Sequence, residues 1–170
     1  MRKVPVEEAV GLTLGYDITK IVPGREKYRA FRRGQVIGPE DISKLKDIGK
    51  ENIYIWDPDD NMVHEDDAAL HLAQCAAGPG LYWGEPNQGR VNLKAEYTGL
   101  LKVRADGLNM LNNLEDVVFA TLHNDRVVVE GQTVAGTRVV PIAVEQKLMQ
   151  EAEKICADKV PILSIKPFKP

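Results

Sequence analysis

A run of basic residues between positions 25 and 33 is the segment of this sequence best suited to bind an anion. It carries five cations against the single acid Glu26: Arg25, Lys27, Arg29, Arg32 and Arg33. Arginine binds phosphate and carboxylate through paired N–H donors, and a turn at Gly34 can add backbone N–H groups. The segment therefore predicts a basic loop over residues 23–34 in which Lys27, Arg32 and Arg33 bind an anionic small molecule or an acidic partner. A solvated loop without a ligand is the alternative.

Polar residues near two predicted strands form a second candidate site. His123 and Asn124 occupy a tight turn, and Thr137 and Arg138 follow a glycine further along the chain. If the flanking strands pair, the turn and the Thr-Arg segment lie at the same end of a sheet. Their side chains could then bind the edge of a heterocycle. A plain hairpin with a structural arginine is the alternative.

The sequence carries no motif that predicts catalysis or a resident metal. It has no phosphate-binding loop, no dinucleotide fingerprint and no H-E-x-x-H segment. His64 and His71 are seven residues apart, whereas a chelating pair on a helix is four apart. Cys75 and Cys156 stand alone rather than in a C-x-x-C pair, which predicts two reduced, buried thiols. We therefore predict no catalytic residue and no metal ligand.

The net charge and the apolar runs narrow the class of protein. The formal charge of the 170 residues is −3, whereas binders of nucleic acid or anionic membranes usually carry a basic excess. No apolar stretch approaches the roughly 18 residues that a membrane-spanning helix needs. The first residues lack the apolar run of a signal peptide. These features predict a cytoplasmic protein without nucleic-acid or membrane partners.

The periodicity of apolar residues predicts helices mixed with many short strands. Helical spacing together with acids or proline at the start and glycine at the end predicts four helices: 39–49, 64–77, 105–112 and 145–157. Strands are expected at 12–19, 35–37, 53–56, 91–93, 100–103, 117–122, 126–129, 133–142 and 160–165. This mixture predicts an α+β fold with three to four helices and hairpins at Gly34 and Gly131 that resemble those of β-clip domains. Two lobes, 1–78 and 79–170, are expected.

Several short motifs resemble a known family. The opening segment Val4-Pro5-Val6-Glu7-Glu8-Ala9-Val10-Gly11 resembles the start of molybdopterin molybdenumtransferases, as does the segment from Arg33 to Ile42. The whole chain is similar to bacterial and archaeal molybdopterin-binding proteins. The segments that carry this second resemblance are Ile21–Gly24, Ala120–Asn124 and Val134–Pro141.

The resemblance implies a role in molybdenum cofactor biosynthesis or handling. In that family the pterin-binding domain is a separate C-terminal unit with a T-G-x-E/D segment, and no such segment occurs here. The resemblance therefore implies that residues 1–170 are a non-catalytic N-terminal module. Its expected partners are molybdopterin, its own C-terminal domain and further copies of itself. A β-clip-type domain that binds or converts a small acid, and a purely structural oligomerisation domain, are the alternatives.

Overall fold

The computed structural model describes residues 1–22, 27–57 and 61–168. The chain divides into two compact units, Met1–Asn61 and Met62–Pro170, each with its own hydrophobic core. The boundary expected after residue 78 falls instead after Asn61. The reason is that the helix over residues 65–76 buries its apolar side in the core of the second unit.

The described residues of the first unit form two strand pairs and one short helix. Its elements are β1 (Arg2–Pro5), a 3₁₀ turn (Val6–Glu8), β2 (Ile18–Lys20), β3 (Tyr28–Phe31), α1 (Asp41–Asp47) and β4 (Asn52–Ile55). Strands β1 and β4 pair antiparallel, and so do β2 and β3.

The prediction of a loop over residues 23–34 is wrong for residues 28–31, which form β3. Residues 23–26, including Arg25, lie outside the described residues. The strand expected at 35–37 is reduced to an isolated bridge between Val36 and Thr13.

Residues 62–168, the described part of the second unit, form the remaining helices and three sheets. Its elements are β5 (Met62–His64), α2 (Glu65–Ala76), β6 (Leu81–Trp83), β7 (Arg90–Ala95), β8 (Gly99–Val103), α3 (Ala105–Asn112), β9 (Val117–Thr121), β10 (Arg126–Val128), β11 (Thr133–Val139), β12 (Ala143–Glu145), α4 (Gln146–Asp158) and β13 (Leu163–Pro167). The largest sheet has the strand order β6-β7-β11-β9, a second has the order β10-β8-β13, and β12 pairs with β5. All of these strand pairs are antiparallel.

Local patterns in the sequence account for the main elements of this unit. Strand β7 alternates exposed and buried residues along its whole length, as a strand with one solvated face must. Helix α2 has three acids in its first turn, and His64 accepts a hydrogen bond from Asp66 N through Nδ1, which caps the helix. The buried side of α2 is mostly alanine, so the helix can pack closely on the sheet.

The prediction of an α+β fold is confirmed. Within the described ranges the chain forms four α-helices and several small antiparallel sheets. None of the helices in those ranges is long and apolar enough to cross a membrane.

Candidate anion-binding site

The outer face of the four-stranded sheet carries a row of polar and basic side chains. Arg90, Asn92 and Lys94 are the exposed residues of β7, and Val91, Leu93 and Ala95 point into the core between them. On the neighbouring strand β11, Arg138 is exposed on the same outer face. We call the set Arg90, Asn92, Lys94, Gly136 and Arg138 the cationic sheet face.

Arg90 and Arg138 lie directly opposite each other on neighbouring strands. Arg90 exchanges both of its backbone hydrogen bonds with Asn87, and Val139 N donates to Gly89 O at 2.9 Å. Arg90 and Arg138 are therefore a non-hydrogen-bonded pair, the type in which facing side chains come closer together. Two like charges in that arrangement destabilise a sheet unless a counter-charge joins them. An anion bound between the two guanidinium groups would supply it.

Gly136 lies beside this arginine pair, one residue before Thr137 on β11. It lies between Asn92 on β7 and Ala120 on β9, so this rung of the sheet carries one amide and one methyl group. A Cβ atom added at Gly136 would lie 3.2 Å from Asn92 Oδ1 and 3.9 Å from Arg90 Nε. The side chains of Asn92 and Arg90 therefore lean over the backbone of Gly136 and occupy the space above it. A ligand on this face would contact the Asn92 amide before it reached the backbone.

The loop before β7 closes one side of the cationic sheet face. A cavity of about 410 Å³ is lined by six residues: Gly84, Glu85, Asn87, Arg90, Asn92 and Lys94. Gly89 has a φ of 69° and its N–H donates to Asp66 Oδ1 at 2.8 Å, which ties this loop to the first turn of α2. A Cβ at Gly89 would approach Val139 O to 2.6 Å, so a side chain there would displace the loop.

The cations of this face form no ion pair with a carboxylate in the described part of the chain. Arg90 Nε donates to Asn92 Oδ1 at 3.1 Å, an amide oxygen rather than a carboxylate. The ion pairs found within the described residues involve other cations, and none joins a carboxylate to Arg90, Lys94 or Arg138. Glu85 supplies the one carboxylate that lines the cavity. The face can therefore accept an anion without first breaking a salt bridge.

The structure separates the residues that the sequence predicted for the second candidate site. Arg138 belongs to the cationic sheet face, but Thr137 points to the opposite side of β11 and is fully buried. The Thr137 hydroxyl has no hydrogen-bond partner within the described residues. Because alternate residues of a strand face opposite sides, Arg138 and its neighbour Thr137 cannot both meet one ligand on this face.

His123 and Asn124 lie at the other end of the sheet from Arg138. The expected pairing of their strands exists, but its register puts Val118 opposite Arg138 and Thr121 opposite Ala135. The expectation that the turn and Arg138 share one end is therefore wrong. Asn124 Oδ1 accepts a hydrogen bond from Val103 N at 2.8 Å, and its Nδ2 donates to Asp125 Oδ2. Asn124 thus holds the turn in place, while His123 is exposed.

The described residues of the predicted basic segment, Lys27, Arg29, Arg32 and Arg33, lie just before, on and after β3. Asp17 organises this hairpin, since its carboxylate pairs with Arg29 Nε at 3.0 Å and accepts from the backbone N–H of Arg33 at 2.8 Å. Lys27, Arg32 and Arg33 are exposed. They do not line the cavity of about 330 Å³ in this unit, whose lining includes Lys20, Gln35 and Asp41.

The histidines of α2 have structural contacts. His64 caps the helix, and His71 Nε2 lies 2.9 Å from Glu153 Oε1 on α4. Across residues 1–22, 27–57 and 61–168 there is no group of three or more histidine, cysteine or carboxylate side chains arranged to hold a metal ion.

Sequence reasoning missed Arg90, Asn92 and Lys94. The strict alternation of polar and apolar residues from 90 to 95 was the available signal, because it predicts a strand with one solvated face. Nothing local in the sequence pairs Arg90 with Arg138, which is 48 residues further along the chain. The register of β7 and β11 decides that contact.

Comparison with known proteins assigns no activity to either unit. A family described as "Domain of unknown function (DUF8806)" matches residues 3–57, a stretch that falls within the first compact unit. No curated protein and no solved structure matches the chain. The cationic sheet face lies outside the matched residues, so the case for its function depends on its own geometry.

Proposed function

We propose that this chain is a non-catalytic module that binds a phosphate-bearing heterocycle of the molybdopterin class through the cationic sheet face. The observation that carries the proposal is the Arg90–Arg138 pair, two arginines on directly opposite positions of neighbouring strands, neither of which pairs with a carboxylate of the described residues. A phosphate between them would accept paired N–H donors from both sides. Such charge-assisted hydrogen bonds are the strong ones in proteins.

The surroundings of the pair suit a flat ring attached to that phosphate. Asn92 and Ala120 lie on either side of Gly136, and the exposed amide of Asn92 can hydrogen-bond to the edge of a ring bound above it. Lys94 adds a further cation two residues beyond Asn92 on the same face of β7. The molybdopterin class itself is supported by the motifs at 4–11, 33–42, 120–124 and 134–141, which resemble molybdopterin-binding proteins.

The remaining parts of the proposal come from the same resemblance. The module would act in molybdenum cofactor biosynthesis or handling in the cytoplasm, together with a separate pterin-binding domain and further copies of itself. Its hairpins at Gly34 and Gly131 would correspond to the β-clip-like hairpins in the N-terminal region of molybdopterin molybdenumtransferase. Lys27, Arg32 and Arg33 would supply a further anion-binding surface on the first unit.

Binding measurements on arginine variants test this function. Molybdopterin, inorganic phosphate and malonate are titrated separately into the wild-type chain and into Arg90→Gln, Arg138→Gln and the control Arg126→Gln. Arg126 is an exposed arginine on β10, in a different sheet. Loss of one hydrogen bond to a charged group costs about 1.5–3 kcal/mol, so each face variant should bind molybdopterin about ten to a hundred times more weakly. The control should bind like the wild type.

The three ligands separate the possible functions of the site. Molybdopterin binding that far exceeds phosphate binding, and that weakens in both face variants, supports the proposal. Tighter binding of malonate than of molybdopterin would instead support a small-acid-binding domain at the same site. Equal molybdopterin affinity in the wild type and both face variants would overturn the assignment of the cationic sheet face.

A further inference from the structure

The two cysteines of the chain meet between two helices. Cys75 lies on α2 and Cys156 on α4, 81 residues apart in sequence, and their Sγ atoms are 2.8 Å apart. Both are free thiols, with Cys75 half-buried and Cys156 buried. The sequence has two cysteines, so this contact joins both thiols of the chain.

A second contact between the two helices lies one turn away from the sulfur atoms. His71 lies four residues before Cys75, so the two side chains occupy the same face of α2 one turn apart. On α4, Glu153 lies three residues before Cys156 and meets His71 at 2.9 Å. The exposed fractions of the His71 and Glu153 side chains are 37% and 53%, so the sulfur pair lies one helical turn from solvent.

The hydrogen bond between the sulfur atoms shifts the pKa values of the two thiols in opposite directions. It raises the pKa of Cys75, which burial raises further, and it lowers the pKa of Cys156. Cys156 is therefore the thiol that ionises more readily, and a hydrogen bond from the Cys75 thiol stabilises its thiolate.

We propose that Cys75 and Cys156 form a reversible disulfide that joins α2 to α4 when the protein meets a peroxide. Disulfide formation requires two cysteines whose side chains already point at each other, and this pair meets that condition. The inference stands independently of the function proposed for the cationic sheet face, because none of its residues belongs to that face.

The chemistry uses one peroxide and two thiols. The Cys156 thiolate, whose pKa is the lower of the two, is the nucleophile. It attacks one oxygen of hydrogen peroxide, the O–O bond breaks, and the departing hydroxide takes the proton of the Cys75 thiol to leave as water. The Cys75 thiolate then attacks the sulfenic sulfur of Cys156, the S–S bond forms and the S–O bond breaks. The second hydroxide leaves as water with a proton from solvent, so two thiols are oxidised and one peroxide is reduced.

The crosslink should stabilise the second unit. It closes a long loop that contains most of the strands of this unit, and closing such a loop removes conformational freedom from the unfolded chain. We expect the Tm of the oxidised protein to be higher by on the order of 10 °C.

Thiol counting after treatment with hydrogen peroxide tests the inference. The wild-type chain, Cys75→Ser and Cys156→Ser are treated, digested without reductant and analysed by mass spectrometry, and the melting temperature is recorded before and after treatment. The wild type should lose both titratable thiols, yield one peptide pair joined through Cys75 and Cys156, and return to its starting Tm with dithiothreitol. Each serine variant should show no increase in Tm.

Two outcomes would overturn the inference. One is a wild-type protein that keeps both thiols titratable after treatment that oxidises free glutathione completely. The other is a disulfide that joins two chains, seen as a dimer on a non-reducing gel. Both readings come from the wild type alone, so they hold even if a serine variant fails to fold.

Discussion

Asp41 shows at the residue scale how a buried carboxylate supports local structure. Its Oδ1 accepts from Lys44 Nζ at 3.0 Å, and its Oδ2 accepts from Gly38 N at 3.1 Å. Burial raises the pKa of Asp41, but the hydrogen bonds from Lys44 and Gly38 outweigh that effect and hold the pKa below its ordinary value. The ionised form therefore stabilises the turn that leads into α1.

Neutralising Asp41 should remove part of the pH dependence of stability. Because its folded-state pKa is lowered, the stabilisation is fully present above the ordinary pKa of 3.8 and is lost as the pH falls through the folded value. We expect Asp41→Asn to unfold about 1–2 kcal/mol more easily at pH 7 and to differ little from wild type well below pH 3.8. Urea unfolding across this range measures both effects. Asp47→Asn, an exposed position on the same helix, is the control, and an identical pH profile in D41N and wild type would contradict the prediction.

Asn112 ties helix α3 to the edge of the large sheet. Its Nδ2 donates to Phe119 O at 2.9 Å, and its Oδ1 accepts from Phe119 N at 2.7 Å. Phe119 lies on β9, the last strand of the sheet, where backbone groups would otherwise lack a partner on the outer side. The amide of Asn112 thus completes the hydrogen bonding of an edge strand and blocks it against pairing with another chain.

Removing this amide should destabilise the second unit. Asn112→Ala leaves two backbone groups of β9 without their partners, and we expect a loss of about 1–3 kcal/mol. The urea midpoint should fall while the slope of the unfolding transition stays unchanged. Asn113→Ala, the exposed neighbour on the same turn, is the matched control. Equal midpoints in N112A and N113A would show that the contact contributes nothing.

At the scale of the whole molecule, the chain contains two hydrophobic cores that share no residue. The first is built around Leu14, Leu45 and Ile53, and the second around Leu72, Leu93 and Leu101. The known family of unknown function matches residues within the first unit alone. A unit with its own core and its own backbone pairing meets the physical conditions for folding by itself.

Residues 62–170 should therefore fold as an isolated fragment. We expect a single cooperative thermal transition and a well-dispersed amide spectrum, because the described elements of this unit find their strand partners within it. Calorimetry and a two-dimensional NMR spectrum of the fragment provide the measurement. Poor amide dispersion without a cooperative thermal transition would show that the core of the second unit depends on the first unit.

The sequence alone determined the helices and the fold class. Helices 65–76, 105–112 and 146–158 agree with the predictions to within about one residue at each end, and α1 is a shortened form of the predicted 39–49. Helical hydrogen bonds join residues four apart, and caps and apolar stripes are equally local, so neighbouring residues suffice to predict them. Arg138 was also singled out from the sequence, as a charged residue two positions after Gly136 in a predicted strand.

Only the tertiary structure decided how strands meet and therefore where the candidate site lies. Because residues 27–33 are rich in basic side chains, the sequence predicted a loop where the structure has strand β3. The register of β9 and β11 places His123 and Asn124 at the far end of the sheet from Arg138. The partner of Arg138 is Arg90, and the partner of Cys75 is Cys156, both far away in sequence. Each of these contacts depends on the register of a strand pair or on the packing of two helices. Register and packing are set by the burial of the whole core, so no local pattern of residues determines them.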